Sequence, residues 1–259
     1  NVLSLVTTAQ GSLSVQSDER YLYILVDAAE YRFETDTLLI PLNTIADQGN
    51  TRSVADNATF DTAADFLIRI HGKDDSHIYV DRYYDAFNYY FLESKKLSDI
   101  PAEENAGVKD SGMFDVMRLC YGYNLTVKGT GQVVPDKAYE TGKLRYGNGN
   151  PDAKVYKSLS DFCYKDGKLE IRIPWQLLNV MDPSGKQQIA DFRKTQTIAP
   201  QPYAEFQLGF AYRTGESSLA IALEGSYTYA GWNQPTWHER LKPAYYELQT
   251  YFKRYTEEQ

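Results

Sequence analysis

The chain has 259 residues, 24% of them charged, with a net charge of −8 and a sequence pI near 5.0. It contains no run of Lys or Arg, which argues against a phosphate-neutralising surface and so against nucleic acid as a partner. No apolar stretch approaches the roughly 20 residues that a bilayer-spanning helix needs, so membrane insertion is not expected. The length suits one all-β domain with a sizeable core of its own. A load of 22 Tyr, 11 Phe and 3 Trp fits pleated, half-buried surfaces and polar ligand faces better than a helical bundle. The chain starts at Asn1 and shows no signal peptide, which reads as a piece of a longer protein.

Residues 18–28 (DERYLYILVDA) open with an exposed acidic turn. The nearly continuous apolar run at 21–26 then predicts a central strand buried on both faces. Residues 37–42 (TLLIPL) predict a second strand, and Pro41 places it at a sheet edge or marks its end. Residues 46–62 are polar and read as a long loop. Residues 66–70 and 77–83 flank Gly72-Lys73-Asp74-Asp75 and predict a hairpin. Residues 93–112, charged and interrupted by Pro101, read as a surface excursion. Strand character returns over 114–127, and 129–151 reads as a loop rich in Gly and Pro.

The clearest local signal lies at 161–185. Asp166-Gly167 predicts a two-residue hairpin turn. After it Leu169, Ile171 and Ile173 alternate with Glu170 and Arg172, giving one core face and one wet face. Pro174 ends the strand and opens a helical turn over 175–180. A second hairpin is expected from alternation at Phe206, Leu208, Phe210 and Tyr212, then at Leu219, Ile221 and Leu223. Leu241, Tyr245, Leu248, Phe252 and Tyr255 recur at steps of four and three, one face of an amphipathic helix. Pro243 starts its regular part, Thr236 to Glu239 matches a capping box, and the helix is expected to pack on the sheets. Cys120 and Cys163 lie in strand-like surroundings and lack metal-ligand spacing; buried thiols and a disulfide both remain open.

Two of these stretches together resemble family 9 carbohydrate-binding modules and their DOMON-like relatives. The first is the acidic pair Asp18, Glu19 followed by Tyr21, Leu22, Tyr23, Ile24, Leu25 and Val26. The second is the strand ending Glu170, Ile171, Arg172, Ile173, Pro174, Trp175, with Gln176, Leu177 and Leu178 in the turn after it. The resemblance implies an all-β, antiparallel β-sandwich over 1–259, with 226–259 as an aromatic loop and C-terminal helix packed on it. It implies a non-catalytic module of a larger extracytoplasmic bacterial protein, secreted or on the cell surface. Structural calcium is implied as well, and no organic cofactor. Trp175 is expected in the core rather than at a ligand. The long loops depart from a minimal module, and the family's ligand tryptophans have no matching positions here.

A sugar ring offers a C–H face to an aromatic ring and hydroxyls to planar polar groups. Tyr227, Tyr229, Trp232 and Trp237 with Asn233 and Gln234 fit that chemistry best, beside the alternative that they pin the C-terminal helix. Tyr83, Tyr84, Phe87, Tyr89, Tyr90 and Phe91 form a second aromatic cluster. Calcium would draw on oxygen ligands in turns. The candidates are Asp27, Glu30, Glu34 and Asp36, or Asp56, Asp61 and Asp65. For hydrolysis, Glu170 and Glu239 are the least arbitrary carboxylates, each more simply a solvent-face residue or cap. The expected partners are a polysaccharide or oligosaccharide and neighbouring domains of the same polypeptide. The alternative is a structural domain of the same fold that supports a catalytic neighbour; a glycan hydrolase ranks third.

Overall fold

The computed structural model describes residues 4–203, 205–231 and 241–257. Strands dominate. Five of them form a sheet in the order Ser4–Thr8, Gly11–Ser17, Tyr21–Asp27, Lys168–Pro174, Phe162–Lys165, all antiparallel. A seven-stranded sheet is centred on Asp36–Asn43. On one side of it follow Phe66–Ile70, His77–Asp81 and Phe114–Val116. On the other side lie Phe206–Leu208 and Ala211–Thr214, with Gly225–Tyr227 beyond. A third, three-stranded sheet joins Asn50–Ser53, Ala58–Ala64 and Leu219–Ile221.

Alternation explains how these sheets meet. Leu13, Val15, Leu22, Ile24, Leu169, Ile171 and Ile173 of the first sheet share one buried cluster with Leu38, Ile40, Phe66, Ile68, Ile78 and Phe206 of the second. Leu39 and Leu67, one residue out of phase, point to the opposite face. There they join Phe60, Ala64, Ile221 and Leu223 in a second cluster under the third sheet. Trp175 lies in the first cluster at 1% exposure, as expected. It stacks on Phe206, and its indole N–H donates to the Asp18 carbonyl at 2.9 Å. The two halves of the sequence resemblance therefore touch each other.

Several expectations need correction. The strand buried on both faces is Asp36–Asn43, whereas Tyr21–Asp27 is buried on one face and presents Tyr23 outward. Its apolar look comes from Tyr, which keeps a hydroxyl in water while packing its ring. Pro41 does not mark an edge. It sits mid-sheet opposite Gly209, where the neighbouring strand breaks into Phe206–Leu208 and Ala211–Thr214, so the N–H that proline lacks is not missed. Residues 50–53 and 58–62, expected as loop, lie in the strands Asn50–Ser53 and Ala58–Ala64. Their signal was hidden because Ala58–Phe60 pairs in parallel with Leu219–Ile221, far away in sequence. That same pairing dissolves the expected second hairpin: Leu219–Ile221 goes to the third sheet, and Phe206–Leu208 pairs with Gly225–Tyr227, beyond the expected second leg.

Residues 118–140 form a ribbon, Arg118–Gly122 against Lys137–Glu140 and Leu125–Thr126 against Val133–Val134, where a loop was expected to begin at 129. The helix Pro243–Glu257 starts at the proline. Its predicted apolar stripe is exposed rather than packed on the sheets: Tyr245, Leu248 and Phe252 are 46%, 56% and 63% exposed. Two of the five stripe residues, Tyr245 and Tyr255, are tyrosine, which tolerates water. The capping box at 236–239 lies outside the described residues. Cys120 and Cys163 are both free.

Candidate functional site

Of the predicted aromatic platform, Trp232, Asn233, Gln234 and Trp237 lie outside the described residues, as does Glu239. Tyr227 and Tyr229 are described and half-buried against the main core. Tyr227 donates its hydroxyl to Ser17 Oγ at 2.8 Å. The Tyr229 hydroxyl donates to the Pro183 carbonyl at 2.8 Å and pairs with the Tyr203 hydroxyl, and its ring sits 5.1 Å from Trp175. Both tyrosines thus spend their polar ends on the protein.

The second aromatic cluster is chiefly core. Tyr83, Tyr84, Phe87 and Tyr89 are buried, and only Tyr90 is exposed. Tyr84 and Tyr89 stack on Phe192. Arg193 lies over the Tyr83 and Tyr89 rings and forks onto both Glu93 oxygens.

Six of the seven carboxylates proposed for calcium, all but Glu30, have partners among the described residues. Asp27 pairs with Lys168, Glu34 with Lys73, Asp36 with Arg32 and Asp56 with Arg69. Asp61 accepts from Leu223 N. Asp65 is fully buried and accepts from Thr44 N, Thr44 Oγ1, Ile45 N and Gln48 Nε2. Among the described residues no group of three or more His, Cys, Asp or Glu is placed to hold a metal. Two buried oxygens in this region nevertheless lack a partner among the described residues, Gln48 Oε1 and Asp81 Oδ2. Burial first, and then the neighbouring Asp65 charge, push the Asp81 carboxyl up to about 7; burial lifts Asp65 to about 6.

A different place brings ligand-type groups together at the surface. Pleating turns Tyr23, Glu170 and Arg172 to the face of the five-stranded sheet away from the core. Register sets Arg172 opposite Tyr23 and Cys163 opposite Glu170. The loop over 147–160 closes one side. Arg172 anchors its return, donating from Nε to the Ser160 carbonyl at 2.7 Å and from Nη2 to the Ser158 carbonyl at 2.8 Å. The guanidinium lies 5.1 Å from the Tyr21 ring centre. Gly149 permits this approach, since a Cβ there would stand 2.9 Å from Arg172 Cζ. The result is a concavity of about 250 Å³, lined among others by Tyr23, Asn148, Asn150, Asp161, Glu170 and Arg172.

Burial raises the pKa of three groups that line it, Tyr23, Cys163 and Asp161. Partial burial and then Asp18, which accepts the Tyr23 hydroxyl at 2.8 Å, hold that phenol up at about 12. Burial and the adjacent Glu170 push the Cys163 thiol up to about 11, so it is protonated at neutral pH and a poor nucleophile. Burial raises Asp161, whose Oδ2 accepts from Arg145 N at 2.8 Å. What remains is a ring, a carboxylate, a guanidinium and two carboxamides around one hollow. Sequence reasoning read Glu170 and Arg172 as a wet face and 147–151 as a turn. The facing Tyr23 was the missing signal, because pairing of strands so far apart in sequence is not written locally. No protein-family model, curated protein or solved structure matches this chain.

Proposed function

We propose that the chain is a non-catalytic carbohydrate-binding or carbohydrate-associated module, an antiparallel β-sandwich, within a larger extracytoplasmic bacterial protein. The observation that carries this reading is the concavity at Tyr23. An aromatic ring at its rim offers a stacking face for sugar C–H groups, and Glu170, Asn148 and Asn150 offer planar partners for hydroxyls. Structural calcium belongs to the same reading; Asp81 Oδ2 and Gln48 Oε1, buried and without a partner among the described residues, are the oxygens left to hold it. Affinity electrophoresis through gels containing different polysaccharides tests the proposal. Retardation by at least one glycan is expected, reduced about tenfold or more in Tyr23→Ala and Glu170→Gln, as for losing roughly 1.4 kcal/mol of contact. Absence of retardation in every gel by the folded protein would defeat it.

A second reading has its own support. Tyr227 and Tyr229, the best ligand candidates by composition, use their hydroxyls inside the protein. That favours a structural domain that packs against neighbours of the same polypeptide. Unchanged mobility in all gels, with binding to a neighbouring domain, would select it.

A further inference from the structure

The Tyr23 concavity does not end at the 147–160 loop. It shares Ser160 with a second depression, lined by Arg145, Tyr146, Tyr156, Lys157 and Leu159. That depression shares Tyr146 with a third, lined by Arg32, Phe33, Lys73 and Tyr164. Shared residues thus link the three around the edge strand Phe162–Lys165, from its outer face at Cys163 to Tyr164 on its core side.

Charge across these depressions departs from the rest of the molecule. The chain carries −8, yet the three depressions are lined by five Lys or Arg (Arg32, Lys73, Arg145, Lys157, Arg172) against three Asp or Glu. Arg145, Lys154 and Lys157 are exposed and form no ion pair among the described residues, while Arg32 and Lys73 pair with Asp36 and Glu34. The opposing carboxyls there are Asp161, Glu170 and Glu34. Asp161 already accepts from Arg145 N, and Glu34 is paired with Lys73. Rings alternate with the cations: Tyr156 is 47% exposed, and Lys73 Nζ lies 5.4 Å from the Tyr146 ring centre.

Resting on the carbohydrate reading above, we infer that the groove takes an extended acidic polysaccharide, one whose sugar rings carry carboxylates. Arg145 presents a fork that matches a planar carboxylate, Lys157 supplies a point charge, and Tyr146 and Tyr156 stack on the rings between. The few free cations and the surrounding negative charge suit a sparsely charged glycan rather than a dense polyphosphate.

The test measures wild-type protein against polygalacturonate, alginate, a neutral xylan, a neutral mannan and single-stranded poly(U), at about 50 and 500 mM NaCl. The expected result is preference for the uronates, with affinity falling about tenfold or more at the higher salt. Arg145→Glu and Lys157→Glu are each expected to weaken uronate binding about tenfold, with Arg145→Lys in between. Both side chains are exposed, and the salt series on wild type decides the matter should a variant misfold. Salt-independent binding to a neutral glycan, untouched by either reversal, would overturn this inference and leave the carbohydrate reading standing. Preference for poly(U), or retention by no polymer, would overturn both.

Discussion

Asp81 provides the sharpest quantitative consequence of this fold. Its Oδ1 accepts from Asn50 Nδ2 at 2.9 Å and from Tyr83 N at 3.1 Å, while Oδ2 is buried with no partner among the described residues. Burial lifts its carboxyl from 3.8 to about 7. A raised folded value means that the folded state holds the proton more tightly than the unfolded chain does. The penalty for ionising Asp81 is therefore absent below about pH 3.8, grows as pH rises, and is complete above about pH 7. At about 1.4 kcal/mol per pH unit it reaches on the order of 4 kcal/mol at pH 8. Asp81→Asn keeps an acceptor toward Asn50 and Tyr83 and removes the charge. The new amide N–H, unpaired at the Oδ2 position, returns about 1–2 kcal/mol of the gain. Urea unfolding of both proteins, in chelator, should show the variant more stable by about 2–3 kcal/mol at pH 8. The advantage should shrink by about 2 kcal/mol or more by pH 5. A variant less stable at pH 8, or a difference that does not change with pH, would refute the reasoning. Loss of stability only when calcium is supplied would instead assign Oδ2 to a cation.

Three further outcomes follow from single observations. Trp175→Ala empties the site between Phe206 and Tyr229 and strands the Asp18 carbonyl; a loss of about 3–5 kcal/mol by chemical denaturation is expected, and a loss under about 1 would contradict its core role. Gly11 has φ of +140°, and a Cβ there would lie 2.2 Å from the Asp27 carbonyl oxygen; Gly11→Ala should cost about 2–3 kcal/mol, read as a lower denaturation midpoint. In a Cys120→Ser background, Cys163 should react slowly with a disulfide reagent at pH 7.5 and accelerate steeply toward pH 11. Fast reaction at neutral pH would show that its thiol is not held up by burial and Glu170.

Part of this protein is legible in its residues alone. The alternation of Leu169, Ile171 and Ile173, the Asp166-Gly167 turn and the Pro174 stop specify a strand with one wet face, because each signal acts within a few residues. The core place of Trp175 was implied by the resemblance, through the Ile-Pro-Trp stretch, and the structure buries it. The all-β character follows from many such segments.

Tertiary structure decided the rest. Asp36–Asn43 is buried on both faces only because Ala58–Phe60 pairs with Leu219–Ile221 and roofs its second side. Tyr23, Glu170 and Arg172 share one hollow only because Tyr21–Asp27 pairs with Lys168–Pro174 in one register; a one-residue slip between the strands would put Tyr23 on the face opposite Glu170 and Arg172. Composition pointed to Tyr227 and Tyr229 as a ligand platform, yet their neighbours Ser17, Pro183 and Tyr203 take up their polar ends. Pattern reports which face of a strand is apolar. Which distant strand lies beside it depends on long-range pairing, whose loop-closure entropy leaves no mark on local sequence.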